Sequence, residues 1–113
     1  MKIPFGERAV VEPEKVREYL LSATHPVGRF KAAFFSMLGY TDENWPELRR
    51  DLLQIPLQGA AVQGKFSRFW NKYEVPAILT GPSGRSAAVL TVWIVRHGEE
   101  IPRLVTAMPG GKP

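Results

Sequence analysis

Apolar residues recur at helical spacing in the first half of the chain and at strand spacing in the second. Val16, Tyr19 and Leu20 follow an i, i+3, i+4 pattern behind Pro13, which suits the first turn of a helix ending near Ser22. Phe30, Ala33, Phe34, Met37 and Leu38 repeat that spacing over two turns. They predict a second helix from about Pro26, with this stripe buried and Gly39 as its left-handed stop. Asn44, Pro46 and Glu47 make a third helix entry, as cap, first-turn proline and capping-box carboxylate. Leu48, Leu52 and Ile55 are its expected buried stripe, and Pro56 its expected end.

Residues 58–63 read as a loop or a short edge strand. Residues 71–80 then alternate, with Tyr73, Val75, Ala77 and Leu79 on one side. Pro76 removes a ladder donor and predicts a sheet edge or a bulge there. Gly81-Pro82-Ser83-Gly84 is a hairpin turn. Residues 86–95 are almost continuously apolar, as a central strand covered on both faces would be. Residues 97–100 form another turn, 101–108 a last strand and 109–113 a tail. This order predicts an α+β fold: N-terminal helices on one face of a small antiparallel meander of three or four strands. One domain is expected over residues 1–113, with its core from about 12 to 109 and a short tail at 110–113.

Composition narrows the function classes. The 113 residues are 44% hydrophobic and 23% charged, the balance of a globular chain. There is no cysteine, which excludes a disulfide scaffold, a thiol nucleophile and a cysteine-based metal site. No apolar run reaches the ~18 residues of a membrane span, and no apolar h-region opens the chain. A cytoplasmic location without a membrane partner is the expectation. The net charge of +4 arises in the second half: residues 58–113 carry seven Lys/Arg against three Asp/Glu, while residues 1–57 carry eight of each. Such a surface suits a polyanion, and suits equally well the solvated face of a mildly basic domain.

The segment Thr24-His25-Pro26-Val27-Gly28-Arg29-Phe30-Lys31 concentrates chemistry at a helix start. Unpaired N–H groups, Arg29, Lys31 and a histidine able to carry a proton near neutrality would together make an anion site. The alternative is ordinary helix-entry chemistry, with His25 as a cap and the cations on a solvated face. In the strands, Thr91 and Trp93 share one face, and Thr106 holds a similar place in the last strand. They predict a partly open sheet face where a base could stack on Trp93 and phosphate could meet the two hydroxyls. The alternative is a strand threonine and a core tryptophan. Lys72 and Arg85 are further candidate contacts to substrate. His25 and His97 make no metal motif, so neither metal nor other cofactor is expected.

The blocks His25-Pro26-x-Gly28-Arg29-x-Lys31-Ala32-x-Phe34-Phe35, Lys72-Tyr73-Glu74-Val75, Gly81-Pro82-x-Gly84-Arg85, Thr91-Val92-Trp93-Ile94 and Val105-Thr106-Ala107-x-Pro109 occur in this order. In them the chain resembles a family of small uncharacterised bacterial domains found alone and at the ends of polymorphic toxins. The layout is similar to that of barnase/EndoU/RelE-like ribonucleases. The resemblance implies His25 as general acid/base, Lys31 and Arg85 on phosphate, and Thr91 and Thr106 lining the cleft. It also implies an aromatic residue between Ala107 and Pro109, where this chain has Met108.

Two functions follow as expectations. One is a toxin-type, metal-independent ribonuclease, which requires His25 and Lys31 to share a concave surface with Thr91 or Thr106. The other is a non-catalytic module that binds a small cognate protein, one half of a two-gene pair, through a sheet edge or exposed Trp45, Trp70 and Trp93.

Overall fold

The computed structural model describes residues 1–26 and 28–110, with Lys65 and Phe66 described by their backbone alone. The expected tail beyond Gly110 lies outside these residues. A short helix α1 (Pro13–Lys15) continues as a π-helical turn over Val16–Leu20. Helices α2 (Gly28–Met37) and α3 (Trp45–Gln58) follow. Strands β1 (Val62–Phe66), β2 (Trp70–Thr80), β3 (Ser86–Arg96) and β4 (Arg103–Pro109) then form one antiparallel sheet in the order β1-β2-β3-β4. The α+β meander expected from the sequence is the observed architecture.

Helix and sheet meet through one apolar layer. Val16, Leu20, Phe35, Leu38, Leu48 and Leu52 pack on Tyr73, Val75, Val89, Trp93 and Leu104. The opposite face of the sheet keeps Leu90 and Ile94 half-buried and Trp70 and Ile78 exposed. β3 is therefore covered on its core face and only partly on the other, where Val92 is buried and Leu90 and Ile94 are half-buried, in place of the full cover on both faces that its continuous apolar run suggested. Pro76 falls where β1 has ceased to pair with β2, so β2 is an edge there and needs no bulge.

The second helix is rotated from its expected phase. Phe30 is 70% and Met37 49% exposed, while Gly28, Phe35 and Leu38 are buried. Gly28 fixes this rotation. A Cβ at Gly28 would lie 1.9 Å from the carbonyl oxygen of Tyr19, so the two helical segments cross backbone to backbone. α2 ends in a Schellman motif, with Gly39 N–H on Ser36 O and Tyr40 N–H on Phe35 O, and Gly39 at φ 99° as expected.

α3 departs from expectation at both ends. Asn44 does not cap it; the Asn44 amide instead accepts from Thr41 N–H and donates to Gly39 O, holding the 3-10 turn before the helix. Pro56 lies inside α3, and the helix runs on to Gln58. The missing N–H is tolerated because it falls in the last turn, where Gly59 N–H still reaches Ile55 O and the proline ring is buried against Gly6.

Candidate active site

His25, Lys31 and Thr106 come together around a residue the sequence placed only in an apolar stripe, Tyr19. The His25 ring meets the Tyr19 ring edge-on, with centroids 5.0 Å apart. Lys31 Nζ lies 5.2 Å and Lys15 Nζ 5.3 Å from the Tyr19 ring centroid. The Tyr19 hydroxyl is 3.2 Å from Thr106 Oγ1, a contact across 87 positions of sequence. Four elements thus supply the cluster: α1, the π-turn after it, α2 with its entry segment, and β4.

Local structure explains each position. Leu21 N–H bonds Val16 O, a π-type closure that widens the turn carrying Tyr19; such turns recur at functional sites. β4 is an edge strand. Val10 covers its first part through bonds to Pro102 O and from Leu104 N–H. Tyr19 takes the next accessible group, Thr106. Lys15 and Tyr19 stand at i and i+4 on one helical face, the spacing that could have signalled the pair in the sequence.

The electrostatics of Tyr19 are distinctive. Burial raises the cost of ionising its phenol, but hydrogen bonding from Thr106 and Lys31 and the charges of Lys31 and Lys15 outweigh it. Its pKa is lowered below the ordinary phenol value. Beside the cluster runs a groove of about 380 Å³, lined by Glu12, Glu14, Lys15, Glu18, Tyr19 and His25.

His25 sits in helix-entry geometry. Its Nδ1 accepts from Gly28 N–H at 3.0 Å, and its carbonyl accepts from Arg29 N–H at 3.1 Å. Those two donors at the start of α2 are therefore engaged, not open to an anion as expected. Arg29 and Lys31, two positions apart, project about 200° apart around the helix. Only Lys31 reaches the cluster; Arg29 lies over the Phe30 ring and lines a separate groove with Leu21 and Asp42.

The expected open face at Thr91 and Trp93 is corrected. Both are fully buried in the core layer. Trp93 Nε1 donates to Thr91 Oγ1, and Thr91 Oγ1 donates to Val75 O, each at 2.8 Å. Strand register separates Thr91 from Thr106: Thr91 pairs with Ala107, whereas Thr106 pairs with Val92 on the other face. Arg85 is also removed from the cluster. Its hairpin docks on the far end of α2, where Ser83 N–H bonds Leu38 O, and the ten residues of α2 span about 15 Å.

Thr106 borders a second feature, on the outer face of the sheet. A groove of about 360 Å³ there is lined by Trp70, Lys72, Val92, Ile94, Val105, Thr106 and Met108. Lys72 is thus near Thr106 but on a different surface from His25. Met108, where an aromatic was expected, lines this groove. Of the three tryptophans, Trp70 is partly exposed beside Phe69, and Trp45 packs against the core under Arg17. Among the described residues no group of three or more His, Cys, Asp or Glu side chains could hold a metal ion, and no helix is long and apolar enough to cross a membrane.

Comparison with known proteins adds the fold and the family. A chain solved in the contact-dependent growth inhibition toxin–immunity protein complex from Klebsiella pneumoniae 342 superposes with a TM-score of 0.73 at 18% identity. The match covers 90% of this chain and 100% of that one, and at this identity it speaks to the fold alone. No curated protein sequence matches. A family match covers residues 2–111, so the chain belongs to the family described as Domain of unknown function (DUF6883).

Proposed function

We propose that this domain is a toxin-type, metal-independent ribonuclease acting at the Tyr19–Lys31–Thr106 cluster. The observation that carries the reading is the convergence of Lys31, Lys15 and the Thr106 hydroxyl on one half-buried phenol. Lys31 and Lys15 supply positive charge where charge gathers on a phosphate under attack. The Thr106 hydroxyl offers a hydrogen bond at the same place, beside the Tyr19 phenol. His25 caps α2 and walls the site. The outer-face groove beyond Thr106, with Trp70 and Lys72, offers a neighbouring surface for bases and backbone. The likeness to a chain from a toxin–immunity complex adds to this reading.

The test is induced expression in bacteria of the wild-type chain and of a Lys31→Ala/Thr106→Val double variant, following growth and total RNA. Arrest with RNA cleavage by wild type alone, both proteins being folded, supports the reading. Intact RNA and normal growth with wild type would sink it.

A second reading rests on a different observation. The apolar stripe of α2 faces solvent at Phe30, Ala33 and Met37, and large exposed apolar patches mark interaction sites. It describes a non-catalytic module that docks a small cognate protein. A stoichiometric complex with such a partner, lost in Phe30→Glu and accompanied by no RNA cleavage, would favour it.

A further inference from the structure

We infer that Tyr19, not His25, takes the proton from the attacking 2′-hydroxyl, and that Lys31 delivers a proton to the departing 5′-oxygen. This inference rests on the ribonuclease reading above.

Geometry decides between the two rings. A base must receive its proton on a lone pair. The Nδ1 lone pair of His25 holds Gly28 N–H at 3.0 Å, which fixes the ring as the cap of α2 and leaves the proton of the neutral ring on Nε2. Using His25 as a base through a proton on Nδ1 would release that cap. Tyr19 has no such structural duty. Its hydroxyl is held by Thr106, and its ring is flanked by Lys15 from α1, Lys31 from α2 and His25 from the entry segment. Glu12, Glu14 and Glu18 lie along the adjoining groove, and Glu12 is paired with Arg103 at 3.2 Å. The lowered pKa of Tyr19 follows from this surrounding and makes its phenolate more available.

The step balances with these two groups alone. The 2′-hydroxyl gives its proton to the Tyr19 phenolate as its oxygen forms a bond to phosphorus. The bond from phosphorus to the 5′-oxygen breaks, and that oxygen takes a proton from the Lys31 ammonium. A cyclic phosphate and a 5′-hydroxyl leave. Tyr19 is then neutral phenol and Lys31 neutral amine, and proton transfer between these neighbours restores the starting pair. Thr106 positions the phenol by its hydrogen bond.

The experiment is a single-turnover cleavage assay on the purified full chain with a short single-stranded RNA, read as a pH–rate profile. Three proteins are compared: wild type, Tyr19→Phe and His25→Asn. Asparagine keeps a capping acceptor but cannot titrate. The phenolate absorbance of Tyr19 is followed in parallel as the wild-type minus Tyr19→Phe difference. We expect Tyr19→Phe to lose roughly 10²–10⁴-fold in rate, the usual worth of an acid–base group, with thermal unfolding close to wild type. His25→Asn loses at least tenfold less than Tyr19→Phe, and the wild-type rate rises with the Tyr19 phenolate signal. Full activity in Tyr19→Phe overturns the inference while the ribonuclease reading stands, and so does a loss in His25→Asn equal to that in Tyr19→Phe. If Tyr19→Phe does not fold, His25→Asn decides, since a loss of roughly 10²–10⁴-fold in that variant overturns the inference. A folded wild type that cleaves no RNA removes the ribonuclease reading itself, and this assignment with it.

Discussion

The indole N–H of Trp93 donates to the hydroxyl of Thr91, and Thr91 passes the bond on to the carbonyl of Val75, both at 2.8 Å inside the core. A threonine and a tryptophan that look like a ligand platform in the sequence are a closed polar relay. Removing the hydroxyl leaves a buried N–H and a buried carbonyl without this partner. Thr91→Val should therefore destabilise the fold by about 1–3 kcal/mol. Thr91→Ser, which keeps the hydroxyl, should recover most of that in chemical denaturation. Equal stability of Thr91→Val and wild type would show that the relay contributes nothing.

The rotation of α2 makes a paired prediction. Phe30 is exposed and Phe35 fully buried, so Phe35→Ala should cost about 3–5 kcal/mol. Phe30→Ser should stay within about 0.5 kcal/mol of wild type, as surface changes do. Denaturant midpoints of the two variants test this, and the reverse order would restore the phase expected from the apolar stripe.

Gly28 should tolerate no side chain. Its Cβ would fall 1.9 Å from Tyr19 O and 2.8 Å from Tyr19 C, and neither backbone atom can swing away. Gly28→Ala must push α2 off the π-turn, at a cost of about 1–3 kcal/mol or more. The same displacement would separate Lys31 from Tyr19. Thermal unfolding together with the Tyr19 phenolate titration should show lower stability and a phenol that ionises at higher pH.

Tyr40 predicts alkaline sensitivity. Burial, the hydrogen bond its hydroxyl donates to Asp51 Oδ2 at 2.5 Å, and the charges of Asp51 and Glu47 all raise its pKa above the ordinary value of 10.0, against a smaller opposing effect of Arg50. Above pH 10.0 the unfolded chain releases this proton while the folded chain keeps it, so stability falls as pH rises. Tyr19 acts with the opposite sign, because its folded value is lowered. Stability measured across alkaline pH should fall less steeply in Tyr40→Phe than in wild type, and more steeply in Tyr19→Phe.

The order of elements was legible in the sequence because helix and strand periods are local properties of the apolar pattern. The change from spacing of three and four to alternation is enough for an α+β meander. The hairpin at Gly81–Gly84 and the stop at Gly39 could be read because glycine and proline act on the backbone where they stand. The phase of α2 was not legible. Its buried face runs through Gly28 and Lys31, which carry no apolar signal, and the exposed face holds the phenylalanine that does.

The candidate site divides in the same way. His25, Lys31 and Thr106 were singled out from the sequence, and the grouping of Thr106 with Thr91 came from treating the strands as in step. The register sets Thr106 opposite Val92 and Thr91 opposite Ala107, an offset that neither strand's own alternation gives. Thr91 and Trp93 could not be told from a binding face, since burial depends on what packs above a strand and not on the strand itself. Tyr19 needed the fold most of all. Its ring is unremarkable in an apolar stripe, and its charge environment exists only where α1, α2 and β4 meet. Local residue chemistry determined the elements and several members of the site; long-range packing alone decided which of those members touch.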